Sequence, residues 1–279
     1  MAFESYDGTP RAANPVTECT DEEIARWNRE WLDYLGREWP WQLARWGDFP
    51  GTPELPAKAL EMIDLVIGEW PLLLYCPREA ILGRRVMELG CGCGNLGKLL
   101  ARYAASYLGI DFSTLALQVA RLVSPDNCTY LHVRDVAAQR PWHATIDTVV
   151  SRHFWIHQNL EMGRHVLSFL ADFLYPGGRL YADFYAPGGR KPGIELSPEE
   201  PLLASHPSAL FCYDDEAIAK LIEGLPFRLD HAEVDSRTER RYAQFTRQGR
   251  AGIQRRGARA AIKSRKRRAP RGVGGDVTR

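Results

Sequence analysis

Val86-Met87-Glu88-Leu89-Gly90-Cys91-Gly92-Cys93-Gly94-Asn95-Leu96-Gly97 is the stretch on which the reading of this 279-residue chain turns. A short apolar run ends at Leu89, glycines follow at 90, 92 and 94, and a helical pattern opens near Asn95. Glycine permits positive φ and close approach of a ligand to bare backbone. A helix N-terminus next to it offers unpaired amides to an anionic group. A second apolar run, Tyr107–Ile110, ends in an acid at Asp111, 21 residues after Gly90. An acid at the tip of a neighbouring strand can accept hydrogen bonds from both ribose hydroxyls of a nucleoside.

Two frames compete for the glycines. Gly92-x-Gly94-x-x-Gly97 satisfies the dinucleotide fingerprint, but its first glycine stands three residues beyond the strand, where that fingerprint wants it directly after. In the other frame Gly90 follows Leu89 at once and Glu88 lies within the strand. A carboxylate there is unhelpful beside a pyrophosphate and suits a ligand with positive charge.

Downstream the pattern alternates. Leu96–Ala105, Leu115–Leu122, Gly163–Phe173 and Asp214–Glu223 read as helices. Cys128–Val133, Ile146–Ser151 and Arg179–Tyr185 read as strands, and 226–235 with 239–246 as a closing hairpin. Such alternation predicts an α/β fold: a doubly wound, mostly parallel seven-stranded sheet, helices on both faces and an antiparallel C-terminal hairpin.

In this order the motifs resemble those of the class I S-adenosylmethionine-dependent methyltransferases, over roughly 80–246. The acid-x-Gly-x-Gly-x-Gly motif is matched by Glu88 to Gly94, and the ribose acid by Asp111, with Phe112 following it as a packing surface for adenine. Asp135 and Val136 stand where the family places an acid and an apolar residue near the adenine ring. Leu174-Tyr175-Pro176-Gly177-Gly178-Arg179-Leu180 is similar to the turn into the fifth strand. The resemblance implies a Rossmann-like fold, S-adenosyl-L-methionine as cofactor and methyl transfer, with Glu88, Gly90, Gly92, Gly94, Asp111, Phe112, Asp135, Val136, Ser151 and Arg152 around the cofactor. Ser151 and Arg152 are assigned to its methionine end. Ser151-Arg152-His153-Phe154 departs from the D/N-P-P-Y/F sequence common in enzymes that methylate base amino groups. His153 and His157 are the candidate general bases, because imidazole titrates near neutral pH and both follow strand four, where doubly wound sheets bind ligands. Loop packing is the plainer reading of both.

The flanks lie outside the resemblance. Residues 1–54 read as a Trp-rich helical extension holding five of the eight tryptophans. Thr20-Asp21-Glu22-Glu23 opens it as a capping box. The tryptophans suit a substrate platform or a helix folded back on the core. The resemblance implies a methyltransferase domain at 55–246, with a further helix expected at about 56–70 and a long loop at 187–208. Residues 247–279 carry 12 Lys/Arg against one acid, whereas 1–246 have a net charge of −10. So basic and apolar-poor a tail predicts disorder, with weak nucleic-acid contact as its functional reading.

Six cysteines are too few for a disulfide scaffold, and a reducing cytoplasm is expected. No secretory signal or apolar run of 18 residues is visible, and no His/Cys spacing suggests a metal. The expected partner is a small-molecule acceptor. The alternatives are a nucleic-acid or protein methyltransferase recruited by the tail, an NAD(P)-dependent oxidoreductase using the Gly92 frame, and a silent binding module.

Overall fold

The computed structural model describes residues 3–4, 10–11, 14–46, 76–188, 193–201, 209–236 and 238–249, with no side chains before Asn14 or over 34–46. The helix expected at 56–70, the prolines at 50, 53 and 56, half of loop 187–208 (189–192 and 202–208) and the tail beyond Gly249 lie outside these residues.

Seven strands form one sheet: β1 (Arg85–Leu89), β2 (Ser106–Asp111), β3 (Cys128–His132), β4 (Ile146–Ser151), β5 (Leu174–Tyr185), β6 (Phe227–Asp235) and β7 (Arg240–Arg247). Their order across the sheet is β6-β7-β5-β4-β1-β2-β3. The five central and outer strands from β5 to β3 run parallel, and β7 inserts antiparallel between β6 and β5. The predicted sheet and closing hairpin are therefore observed. The order reverses at β1 and β4, whose C-terminal ends flank the crevice where open α/β sheets bind ligands.

Strand alternation sorts the core into two faces. Met87, Leu89, Leu108, Ile110, Val149, Leu180 and Phe184 pack on one side with α4 (Leu160–Phe173) and α5 (Asp215–Ile222). Val86, Tyr107, Val150 and Tyr181 pack on the other with Leu96, Leu100, Leu117 and Ala120. The helix expected over Leu96–Ala105 is α-helical only over α2 (Gly97–Leu100), and turns continue to Ala104. The strand expected from Arg179 begins at Leu174. Ile146 pairs with Leu174 and Thr148 already with Arg179, so Tyr175–Gly178 bulge out, with Gly177 at φ +100.

α1 (Asp21–Trp46) begins with the capping box read from the sequence: Thr20 N–H donates to Glu23 Oε2 at 2.6 Å, and Glu23 N–H to Thr20 Oγ at 3.2 Å. Residues 14–33 pack directly on the sheet domain. Val16 and Cys19 are buried in the core, and the Arg134 guanidinium donates to the Cys19 carbonyl. Asn28 holds the start of α3 (Thr114–Val123), its Oδ1 accepting from Ser113 Oγ at 2.8 Å and Leu115 N–H at 3.1 Å. Residues 14–33 thus belong to the same packed body as the sheet. No described helix is long and apolar enough to cross a membrane.

Candidate active site

A cavity of about 260 Å³ opens at the C-terminal ends of β1, β2 and β4. Gly90, Asp111, Phe112, Arg152, His153 and His157 line it, joined by Phe154 and by Trp27, Glu30 and Trp31 of α1. Glu88, Gly92, Gly94, Asp135, Val136 and Ser151 are not among its lining residues.

Each of the absent residues has a physical reason. Glu88 shares the strand face of Val86 and turns to Tyr107, whose hydroxyl donates to Glu88 Oε2. Burial raises Glu88 to about 8, so it is mostly neutral at pH 7. The cation-facing carboxylate expected inside β1 is instead a buried partner of a tyrosine. Gly92 and Gly94 have φ of +51 and +76, but side chains already cover them. A Cβ on Gly92 would lie 2.2 Å from Trp31 Cζ2, and one on Gly94 would lie 2.8 Å from Tyr130 Oη. Asp135 accepts from His132 N–H at 3.0 Å and is exposed, with Val136 half-buried beside it. Ser151 is buried, and its Oγ has no hydrogen-bond partner among the described residues.

Asp111 sits where the sequence put it, at the tip of β2. Its Oδ2 accepts from Gly92 N–H and its Oδ1 from Ser113 N–H, both at 2.8 Å. Burial raises its pKa, and the amides of Ser113, Gly92 and Phe112 oppose that shift. A carboxylate has about four acceptor positions, so each oxygen keeps capacity for a further donor from the cavity. Phe112 runs nearly parallel to Phe154 at an interplanar angle of 20°, with centroids 6.5 Å apart. Phe154 also lies over Gly90, where a Cβ would meet it at 2.6 Å.

The two histidines differ from the expectation of a base. His153 has φ +56. Its backbone N–H donates to Asp183 Oδ1 at 2.8 Å, and its Nε2 lies 2.7 Å from Arg240 Nη1. A guanidinium only donates, so Nε2 must accept and the ring hydrogen sits on Nδ1. Burial, together with Arg240, Arg152 and His157, pushes His153 down to about 2. With its lone pair engaged, it serves here as a donor. His157 packs edge-on against Trp27 at 5.3 Å, and burial, with Arg26, pushes it down to about 4.

Sequence reasoning missed Arg240. It opens β7 opposite Tyr185, is nine-tenths buried, and binds Asp183 Oδ2 at 2.9 Å. Only the register of the hairpin brings it there. Trp27 and Trp31 line the cavity and belong to a helix folded back on the domain, the second of the two readings weighed for the tryptophan cluster.

Strand order, glycine loop and acid at the tip of β2 are similar to those of the class I S-adenosylmethionine-dependent methyltransferases. Residues 86–178 match the family model described as a methyltransferase domain. The ubiquinone biosynthesis O-methyltransferase of Xanthomonas campestris pv. campestris (strain B100) is 30% identical over 142 residues, covering 49% of this chain and 54% of the relative. The mitochondrial ubiquinone biosynthesis O-methyltransferase of Schizosaccharomyces pombe is 26% identical over 141 residues, covering 48% of each. The chain thus spans about half the length of these curated relatives. The solved complex of DhpI with SAH shares the fold, with a TM-score of 0.52 at 14% identity over 86% of this chain and 100% of that one.

Proposed function

We propose that the protein transfers the methyl group of S-adenosyl-L-methionine to a small-molecule acceptor. The observation that carries this reading is the Asp111 carboxylate, anchored by two amides at the tip of β2 while still lining the cavity beside Gly90 and Phe112. A nucleoside fits that set: ribose hydroxyls on Asp111, an adenine face on Phe112, and a close backbone approach at Gly90. The curated relatives are named for ubiquinone biosynthesis, which favours a small-molecule acceptor over a polymer.

When bound, the cofactor supplies a methyl carbon on a sulfonium, already electrophilic. The protein's share is alignment, which can supply several kcal/mol of barrier lowering. Arg152, His153 and Phe154 leave β4 on the side of the cavity facing α1, and Trp27 and Trp31 close it from above. Neither histidine is poised to take a proton at neutral pH. This favours an acceptor whose nucleophilic atom arrives deprotonated or loses its proton to solvent.

Incubation with methyl-labelled cofactor and fractionated cell extract tests the reading. Label is expected in the small-molecule fraction. Label in nucleic acid or protein, lost on deleting residues 250–279, would move the assignment to the tail-recruited alternative.

A further inference from the structure

We propose that Asn28 of α1 is a positioning residue that orients the Asp111 carboxylate, so that the ribose site of the cofactor is complete only while α1 is seated on the glycine loop and on the start of α3. This rests on the methyl-transfer reading and adds to it a part of the chain that the glycine and acid motifs do not contain.

Asp111 owes its place to β2 and its direction to two loops. Its Oδ2 is held by Gly92 N–H from the loop after β1, and its Oδ1 by Ser113 N–H from the turn after β2, both at 2.8 Å. Burial works against the charge of Asp111, and these amides work for it. A carboxylate that must meet a ligand from a fixed angle is only as well aimed as the groups that hold it.

One face of α1 reaches both anchors. Asn28 and Trp31, three residues apart, are neighbours on the helix surface. Trp31 rests on Gly92 so closely that a Cβ there would lie 2.2 Å from its Cζ2. Asn28 takes the other anchor. Its Oδ1 accepts from Ser113 Oγ at 2.8 Å and from Leu115 N–H at 3.1 Å, and its Nδ2 donates to Thr114 Oγ1 at 3.1 Å. With its proton given to Asn28, Ser113 Oγ accepts from Ala116 N–H at 3.1 Å and caps α3. The Ser113 side chain is thus pinned between α1 and α3 while its amide holds Asp111. Asn28 is not among the residues that line the cavity, so its effect on a ligand there passes through Ser113. Residues joined in one such hydrogen-bond network are energetically coupled.

The test titrates the full chain with S-adenosylhomocysteine and sets adenosine against 2′,3′-dideoxyadenosine in competition with it. The wild type should prefer adenosine about tenfold or more, the ratio one charge-assisted hydrogen bond to a ribose hydroxyl gives. Asn28→Ala should weaken S-adenosylhomocysteine about three- to thirtyfold and cut the preference for adenosine at least about threefold. Asn28→Asp, which keeps an oxygen for Ser113 and Leu115, should restore both to within about twofold of wild type. In an Asp111→Ala background, Asn28→Ala should change the affinity by less than about twofold. Asn28→Ser, whose hydroxyl ends one bond short of the amide oxygen, replaces the alanine variant if that variant does not fold. The positioning role alone would be overturned by unchanged affinity in Asn28→Ala, by an equal loss for adenosine and dideoxyadenosine, by no recovery in Asn28→Asp, or by an undiminished Asn28→Ala effect without Asp111. A wild type that binds S-adenosylhomocysteine without preferring adenosine would overturn the ribose assignment of Asp111, and this inference with it. A wild type that takes up no S-adenosylhomocysteine would overturn the methyl-transfer reading itself.

Discussion

Gly92→Ala tests whether α1 is seated on the glycine loop. Two costs follow from the geometry. A residue with a side chain at φ +51 pays about 1–2 kcal/mol for the left-handed conformation. Its new methyl would also lie 2.2 Å from Trp31 Cζ2 and 2.3 Å from Cη2, so the indole must retreat by more than an ångström, an overpacking cost of about 1–3 kcal/mol. The single variant should thus lose about 2–5 kcal/mol. Trp31→Ala removes the overlap but not the backbone strain. In the double variant the Gly92→Ala cost should fall to about 1–2 kcal/mol, giving a coupling energy of about 1–3 kcal/mol in the cycle. Urea denaturation followed by far-UV circular dichroism, with slopes checked for equality, measures all four corners. Costs that add without coupling would mean that Trp31 does not rest on Gly92, and the helix would lose its place in the site.

Glu88→Gln should flatten the pH dependence of stability. The carboxyl is raised to about 8 from the ordinary glutamate value of 4.5, so between these the folded chain holds a proton that the unfolded chain has released, and wild-type stability falls as pH rises. The slope from this one group is of order 1 kcal/mol per pH unit, and the variant should gain on the wild type from pH 5 to 8 in matched urea melts. A constant difference would contradict the burial of that carboxyl. His153 and His157, lowered to about 2 and about 4, should show no imidazole proton titration between pH 5.5 and 8. A midpoint near 6.5 for either would return it to candidacy as a base. Asn28→Ala removes the acceptor for Ser113 Oγ and Leu115 N–H and should cost about 1 kcal/mol, the scale of a lost cap; an unchanged melting midpoint would contradict the docking of α1 on α3.

Much of the fold could be read locally. The glycine run after Leu89, the acid at Asp111 and the closing hairpin are short-range signals, and each marks a strand end. The position of Asp111 was legible because it is fixed by β2 alone. The errors came from side-chain direction and from distant pairing. Glu88 looked like a cofactor-facing acid, but strand alternation sends it to the face of Tyr107, and no motif encodes that partner. Gly92 and Gly94 looked bare until residues far away in sequence, Trp31 and Tyr130, filled the space above them. His153 looked like a base because imidazole usually titrates near neutrality; its neighbour Arg240 lies 87 residues on and depends on hairpin register. Long-range packing decided what these residue types do.

The central claim is that the anchored carboxylate at the tip of β2 holds a methyl-donor nucleoside. Isothermal titration of the wild type and Asp111→Asn with S-adenosylmethionine, and separately with NADH, measures this directly. Asparagine keeps the volume, removes the charge and turns an amide N–H toward a backbone donor, so the loss should be about 2–4 kcal/mol, or about 30- to 1000-fold in affinity. Saturable wild-type binding of S-adenosylmethionine is expected, weakened to that extent in Asp111→Asn, with no saturation by NADH. Saturation by NADH alone, or S-adenosylmethionine binding indifferent to Asp111, would contradict it.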